Sequence, residues 1–445
     1  MRRAIVAAAL VLLVAGCGGK TVSPGPSGGA SVAPASTAFF LRVRTDDSAP
    51  WRLLASLLPA GRPALDSLRG VLGPETDILT LGPGEQGLVA LTQPPDPARL
   101  DSLLAKDDPP LVSEQVGDWR VVAGDRATID RLKRARNDGS LTGSGAYLEA
   151  TRNLPANAIA RFYADGTAVT RELDSRLKTG SGPIPGVGRV AWSAGALTSR
   201  PGGLGVQVRV KGDEIEPGPY TAAFPAVIPT PVTFVVDAKG LDRTLEQLKR
   251  SPALAARGGP LVKALQSGVL DDAIALFKNE AAFYARPLPS GPEYTLVVKV
   301  DDEAAAETIV DRLAILVGAL TQKVPTHQTI AGVDATRLTL GKTTVYYAVF
   351  DGKLVATTAP SGIRGLRGAA RRLADAPAWR AAAEAAGLPD QTAGIAYADL
   401  KHALPLLASL TGKKRGTHLP RLGNALVYAT VDGSVLSVSG FVALR

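Results

Sequence analysis

The chain has 445 residues, of which 45% are hydrophobic and 20% charged, and its formal net charge is +9. This is the composition of a globular protein long enough to form two domains. Its single cysteine excludes an intramolecular disulfide, so packing must hold the fold together.

The first seventeen residues form a signal pattern. Arg2 and Arg3 precede an apolar stretch, 4–14, that is too short to span a membrane comfortably, and Val14-Ala15-Gly16-Cys17 follows it. This stretch resembles the lipobox of a bacterial lipoprotein. The resemblance implies cleavage after residue 16, a diacylglyceryl group on Cys17, and a protein held on the extracytoplasmic side of the cell membrane. Two acyl chains are roughly what stable attachment requires.

A flexible tether is expected at 17–33, because 18–33 is rich in Gly, Ser and Pro and nearly free of bulky apolar side chains. Its sixteen residues should hold the folded body roughly 20 Å from the anchor. No run of 18 or more apolar residues follows, so a second membrane span is not expected.

The rest of the chain contains an internal repeat. Two sets of residues are related by one offset of 234 positions: Val121, Ile129, Leu132, Ala135, Leu154, Pro155, Tyr163 and Asp165, and Val355, Ile363, Leu366, Ala369, Leu388, Pro389, Tyr397 and Asp399. We therefore predict a first repeat domain at 34–212, a proline-rich linker at 213–227 and a second repeat domain at 228–445.

The openings of the two halves are 195 positions apart, at Phe39 and Phe234. The second half should therefore hold about 39 extra residues before Val355, and we place them in additional helix near Ala253–Pro289. A helix capped by Asp302 and a basic helix over Ser361–Ala374 are also predicted in this half. Its predicted strands are Tyr294–Val300, His327–Ala331, Ala335–Leu340, Thr344–Phe350, Leu354–Thr358, Thr392–Ala398, Ala425–Thr430 and Val435–Leu444.

Strands outnumber strand-helix-strand patterns, and Asp351-Gly352 is a strong hairpin signal. The predicted class is therefore α+β, with two duplicated domains that are each a mainly antiparallel sheet with helices packed on one face. Carboxylate pairs such as Asp107-Asp108 mostly fall at predicted helix starts. We interpret Asp165, Asp237 and Asp399 as strand ends that cap the following helix.

Two predicted helices 234 positions apart carry basic side chains. The residues that we consider for contact with an anionic surface are Arg126, Arg131, Lys133 and Arg134 in the first half, and Arg364, Arg367, Arg371 and Arg372 in the second. Such faces could contact anionic lipid or wall polymer, and Lys413-Lys414-Arg415 could add to them. The alternative is an ordinary solvated helix face.

No enzyme, cofactor or metal site is predicted. Ser175-x-x-Lys178 and Lys178-Thr-Gly share one lysine, and His327, His402 and His418 lack metal-ligand spacing. A set of aromatic residues could line a lipid cavity or pack in an ordinary core: Phe39, Phe40, Phe162, Tyr163, Phe234, Tyr346, Tyr347 and Tyr397.

The lipobox, the tether and the duplicated Leu-Pro…Tyr-x-Asp pattern resemble a family of exported lipoproteins of high-GC Gram-positive bacteria, known only as a domain of unknown function. The resemblance transfers no catalytic residue. We expect a membrane-anchored binding or envelope-organising protein whose partners are anionic lipid, wall polymer or an envelope protein. Nucleic acid is not expected for an exported chain. The alternatives are a lipid or glycolipid carrier with an apolar cavity, and an unrecognised envelope hydrolase.

Overall fold

The computed structural model describes residues 28–45, 70–81, 87–177, 183–184, 186–216, 218–249, 269–341, 343–369, 371–411 and 422–444. Cys17, most of the predicted tether and the basic loop Lys413–Arg415 lie outside the described residues. Below, the first half means the described residues up to 216, and the second half means those from 218 onward.

The described residues form a single antiparallel sheet of eighteen strands. The strands of the first half are β1 (Phe39–Arg44), β2 (Glu75–Thr80), β3 (Leu88–Thr92), β4 (Val112–Val116), β5 (Trp119–Ala123), β6 (Ala160–Asp165), β7 (Val190–Arg200) and β8 (Gly203–Gly212). Those of the second half are β9 (Phe234–Lys239), β10 (Glu280–Leu288), β11 (Gly291–Lys299), β12 (Thr326–Ile330), β13 (Val333–Leu340), β14 (Thr343–Phe350), β15 (Lys353–Thr357), β16 (Gly394–Asp399), β17 (Leu422–Asp432) and β18 (Val435–Leu444).

The order of the strands places the halves side by side. The first half runs β4-β5-β3-β2-β1-β6-β7-β8. From the far edge, the second half runs β12-β13-β14-β15-β11-β10-β9-β16-β17-β18. Apart from β12 and β13, each strand of one half therefore has a counterpart at the same place in the other.

The halves join where β8 pairs with β18 in an antiparallel register. Gly203, the first residue of β8, pairs with Ala443, and Val435, the first residue of β18, pairs with Lys211. The middle of the joint is the pair Gln207 and Ser439. Each strand thus meets the other in the same way, as the two strands of a symmetric dimer would.

The described α-helices connect these strands, and most begin at a side-chain cap. They are α1 (Pro97–Leu104), α2 (Arg126–Asn137), α3 (Gly145–Thr151), α4 (Gly166–Leu177), α5 (Leu241–Lys249), α6 (Val269–Ala275), α7 (Glu303–Thr321), α8 (Pro360–Gly368), α9 (Pro377–Ala386) and α10 (Leu400–Thr411). The cap predicted for Asp302 is confirmed, since its carboxylate accepts from Ala305 N at 3.0 Å. Asp165 and Asp399 likewise accept from the first turn of the next helix.

Helices pack on both faces of the sheet, so the prediction that they share one face is wrong. Val121 and Val122 are consecutive in β5 and therefore point to opposite faces. Val121 packs with Ile129 of α2, whereas Val122 packs with Leu100 of α1. We call these face 1, the α2 side, and face 2, the α1 side. In the second half α8 and α9 lie on face 1 and α7 on face 2.

The extra residues of the second half are mostly not where the sequence suggested. In the first half, Val89 of β3 pairs with Ala123 of β5, 34 positions later. The equivalent pair in the second half, Thr295 of β11 and Thr357 of β15, is 62 positions apart. This interval holds the longer helix α7 and the added hairpin β12–β13. Of the predicted helical segment Ala253–Pro289, residues 253–268 lie outside the described residues and α6 is helical. Its last part is instead strand β10, whose alanine-rich start is buried on both faces and so lacks alternation.

Two further predicted boundaries change. The basic helix ends at Gly368, where Ala369 turns to extended backbone, so Arg371 and Arg372 lie beyond it. Asp107 and Asp108 follow α1 and do not start a helix. The predicted hairpin at Asp351-Gly352 is confirmed, because both residues have positive φ, 49° and 68°, between β14 and β15.

Candidate functional site

Two buried acidic side chains face each other on face 1 of the second half. Asp237 lies inside β9 and is 1% exposed, so the prediction that it ends a strand and caps a helix is wrong. Its Oδ1 accepts from the Tyr220 hydroxyl at 2.8 Å. Glu280, at the start of β10, accepts from the backbone N–H of Ala223 at 2.6 Å and of Phe224 at 2.9 Å. We call Asp237 and Glu280 the acid pair.

Asp237 holds its proton more tightly than an isolated carboxyl group does. Burial, followed by the charge of Glu280, raises the pKa of Asp237 to about 8, although the hydrogen bond from Tyr220 opposes this. Oδ2 of Asp237 is buried with no donor in hydrogen-bond range. Asp237 is therefore the protonated member of the pair at neutral pH, and Glu280 has the bonding pattern of a carboxylate.

The same place in the first half is charge-compensated. The registers of β1 with β2 and of β9 with β10 align Arg42 with Asp237 and Glu75 with Glu280. Arg42 Nε lies 3.1 Å from Glu75 and 3.3 Å from Asp77. Burial still raises the pKa of Asp77 to about 7, and Arg42 counteracts part of that rise. The second half has two acids here and no arginine.

A second group of polar side chains lies on the same face, farther along β10 and β11. We call it the polar cluster: Tyr284, Arg286, Glu293, Thr295, Thr357 and Ser361. Arg286 Nη1 lies 3.3 Å from Glu293, whose other oxygen accepts from the Ser361 hydroxyl. The hydroxyls of Thr295 and Thr357 are 2.8 Å apart.

The polar cluster occupies positions that are apolar in the first half. Strand registers and the shared helix offset align its six members, in order, with Leu79, Leu81, Gly87, Val89, Ala123 and Ala127. Leu79 and Val89 are fully buried core residues. A buried charged pair is costly to desolvate and seldom adds stability over an apolar packing of the same volume. The cluster therefore departs from what folding alone favours.

The cluster can hold a negative charge. Glu293 is 1% exposed and lies at the N-terminus of α8, where the helix dipole and the guanidinium of Arg286 both favour an anion. Burial raises the pKa of Tyr284, so its hydroxyl stays neutral and can donate. Nε of Arg286 is buried with no hydrogen-bond partner. The site is thus rich in donors and has Glu293 as its only acid.

The predicted basic residues are not brought together. Those on α2 lie over β5 and β4 at one end of the sheet, and those on or after α8 lie at the other end. Arg126 and Lys133 both pair with Glu114, and Arg131 bonds Thr128.

In the second half, Nη1 of Arg367 donates to both carboxylate oxygens of Asp351, at 2.7 and 2.8 Å. Arg372 is half-buried and donates to the carbonyls of Val227 and Gly365. Arg134, Arg364 and Arg371 are exposed. They remain the candidates for contact with an anionic surface.

Most of the predicted aromatic set packs within the fold, and one member belongs to an open patch. Phe234 lies 5.6 Å, centroid to centroid, from Phe283, which stacks on Tyr294 at 6.2 Å. Phe283 is 41% exposed on face 2, whereas the aligned Ile78 of the first half is buried. Phe40, Tyr163 and Tyr397 are buried on face 1.

Sequence reasoning missed Tyr220, Glu280, Tyr284, Arg286 and Glu293. None of them belongs to a catalytic motif. An alignment of the two halves at the correct strand offsets would have found three of them, because Tyr284, Arg286 and Glu293 then align with Leu79, Leu81 and Gly87.

Metal ligation has no support among the described residues, where no three His, Cys, Asp or Glu side chains are grouped to hold an ion. His327 contacts Thr336 and His402 contacts Asp399, and His418 lies outside the described part. In the same part of the chain, no helix is long and apolar enough to cross a membrane.

Comparison with known proteins gives little guidance. No family model and no curated protein matches the chain. Among solved structures, one titled "Structure of crystal form III of TP0453" aligns with TM-score 0.30 and 9% identity, over 50% of this chain and 95% of that one. A second, "Structure of crystal form I of TP0453", gives TM-score 0.28 and 10% identity, over 48% and 75%. At these TM-scores the likeness supports no statement about fold or function.

Proposed function

We propose that the chain is a lipid-anchored extracytoplasmic protein that acts by binding and not by catalysis, with recognition concentrated in the second half. The observation that carries this proposal is the polar cluster, which replaces an aliphatic core at aligned positions. The lipobox at Cys17 supports the anchor, and the Gly/Ser/Pro tether would hold the body off the bilayer.

We also propose that the body consists of two copies of one α+β unit. The shared order of eight strands supports this, as does the offset of 234 residues between the starts of α2 and α8. Backbone bridges repeat as well: Pro34 pairs with Ser140 and Pro229 with Arg372. After duplication, one copy could keep an apolar core while the other acquired polar side chains.

The anchor is tested by replacing Cys17 with serine and fractionating the producing cells. The variant should leave the membrane fraction, because the thiol that takes the lipid is gone, and Ser23→Ala in the tether is the matched control. Retention of the Cys17→Ser protein after a high-salt wash would reject lipid anchoring.

Binding is tested by native mass spectrometry of the released Cys17→Ser protein, before and after organic extraction. An extractable mass that is lost in the variant Arg286→Leu/Glu293→Gly would support recognition by the polar cluster. An extractable mass that persists in this variant, but is lost in Phe283→Ser, would favour the carrier alternative, since Phe283 is open to solvent on face 2. A bare polypeptide that also retains no anionic lipid or wall polymer would contradict the proposal.

A further inference from the structure

The segment before β9 covers the second half like a strap. We define the strap as residues 218–233; it packs Phe224, Ile228 and Val232 into the core on face 1. Tyr220 exchanges two backbone hydrogen bonds with Thr392, at 2.7 and 2.9 Å, and the Pro229–Arg372 bridge holds the other end. Further hydrogen bonds hold Val227, Ile228 and Thr233. At the start of the strap, the side chain of Tyr220 and the backbone of Ala223 and Phe224 bond the acid pair.

Both members of the acid pair hold the strap. Asp237 accepts a hydrogen bond from the Tyr220 hydroxyl. Glu280 accepts hydrogen bonds from the backbone N–H groups of Ala223 and Phe224, at the start of the 3-10 helix Phe224–Ala226. An isolated backbone bridge and a short helix of the strap are thus bonded to two carboxyl groups on neighbouring strands, β9 and β10.

No cation compensates these acids within the described residues. The groups that face Asp237 are Tyr220 from the strap, Glu280 from β10, and two apolar register partners, Ala282 on β10 and Ile395 on β16. Lys239 pairs with Glu280 in the backbone register, but its side chain is exposed. When Asp237 is ionised, its negative charge therefore lies close to that of Glu280 in a buried environment, where only hydrogen bonds balance the two charges.

We propose that the strap is a pH-responsive cover: the acid pair holds it closed while Asp237 is protonated and loosens it as Asp237 loses that proton. The direction follows from linkage. An acid whose pKa is higher under the closed strap than in the open state holds its proton in the closed state, so closure weakens as pH rises between the two values. Above about pH 8 both states are ionised, and the effect levels off.

The test is hydrogen exchange, followed by mass spectrometry, of the full-length protein in detergent from pH 5.5 to 9. After correction for the intrinsic chemical rate, the opening of strap amides 218–233 should rise by up to tenfold per pH unit and flatten near pH 8. Amides of β7 serve as the internal reference, since they lie in the other half of the sheet.

Two variants separate the mechanism from general instability. Asp237→Asn imitates the protonated acid, because its amide can accept from Tyr220 and donate to Glu280, so strap opening should lose its pH dependence. Glu280→Gln removes the neighbouring charge and should reduce the slope. An unchanged strap across this pH range in the native protein would overturn the proposal, as would a slope that Asp237→Asn leaves intact.

Discussion

The buried pair Arg286 and Glu293 offers a sharp test of whether the polar cluster is kept for stability. Replacing Glu293 with alanine would leave the guanidinium of Arg286 without its carboxylate partner, although the arginine side chain is only 15% exposed. Removing one partner of a buried pair typically costs about 3–5 kcal/mol, and the lower figure suits this partly solvated arginine. In a folding unit of about 200 residues, that corresponds to a fall in Tm of roughly 6–12 °C.

The double variant Arg286→Leu/Glu293→Gly is the matched control, because it introduces the residues that the first half has at Leu81 and Gly87. It removes both charges together, so we expect most of the lost stability to return. The assay is urea unfolding followed by tryptophan fluorescence, to which Trp379 in the core of the second half contributes. A double variant as unstable as Glu293→Ala alone would refute the reasoning, since the unpaired charge would then not be the source of the loss.

Three further predictions concern charge and helix caps. Reversing Arg364 and Arg371 to glutamate should weaken binding to anionic vesicles at low salt by about 1 kcal/mol per charge, and equal binding would remove this surface from consideration. Stability of the first half should decline as pH rises from about 4 to about 7. Burial raises the pKa of Asp77 to about 7, so the folded state holds a proton that the unfolded chain releases in this range. In thermal melts, Asp77→Asn should flatten this pH profile. Asp302→Ala should lower the free energy of unfolding by about 1 kcal/mol through loss of the α7 cap, and an unchanged midpoint in denaturant unfolding would contradict this.

Local patterns predicted much of the second half. The strand Val435–Leu444 has the predicted bounds, and the hairpins β12–β13 and β14–β15 lie where alternation and the Asp-Gly turn indicated. These features depend on neighbours within a few residues, and so they can be read from the chain directly. The α+β class with a largely antiparallel sheet follows from the same signals.

The errors came from contacts distant in sequence. Asp237 follows an apolar run and looks like a strand end, but the pairing of β9 with both β10 and β16 extends the strand to Lys239 and buries the acid. Helices on two faces could not be foreseen either, because alternation shows that a strand has two faces without showing what covers each. The polar cluster needed registers of three strands, which no local pattern contains.

The joint between β8 and β18 also has a bearing on aggregation. A half without its neighbour would present a strand of about ten residues with unpaired backbone groups, the kind of edge to which another chain readily adds. Because each inner edge meets its counterpart in the same register, joining two halves in one polypeptide seals both edges at once. Within the described part of the chain, the sheet then ends at β4 and β12, two five-residue strands that offer a much shorter template for unwanted pairing.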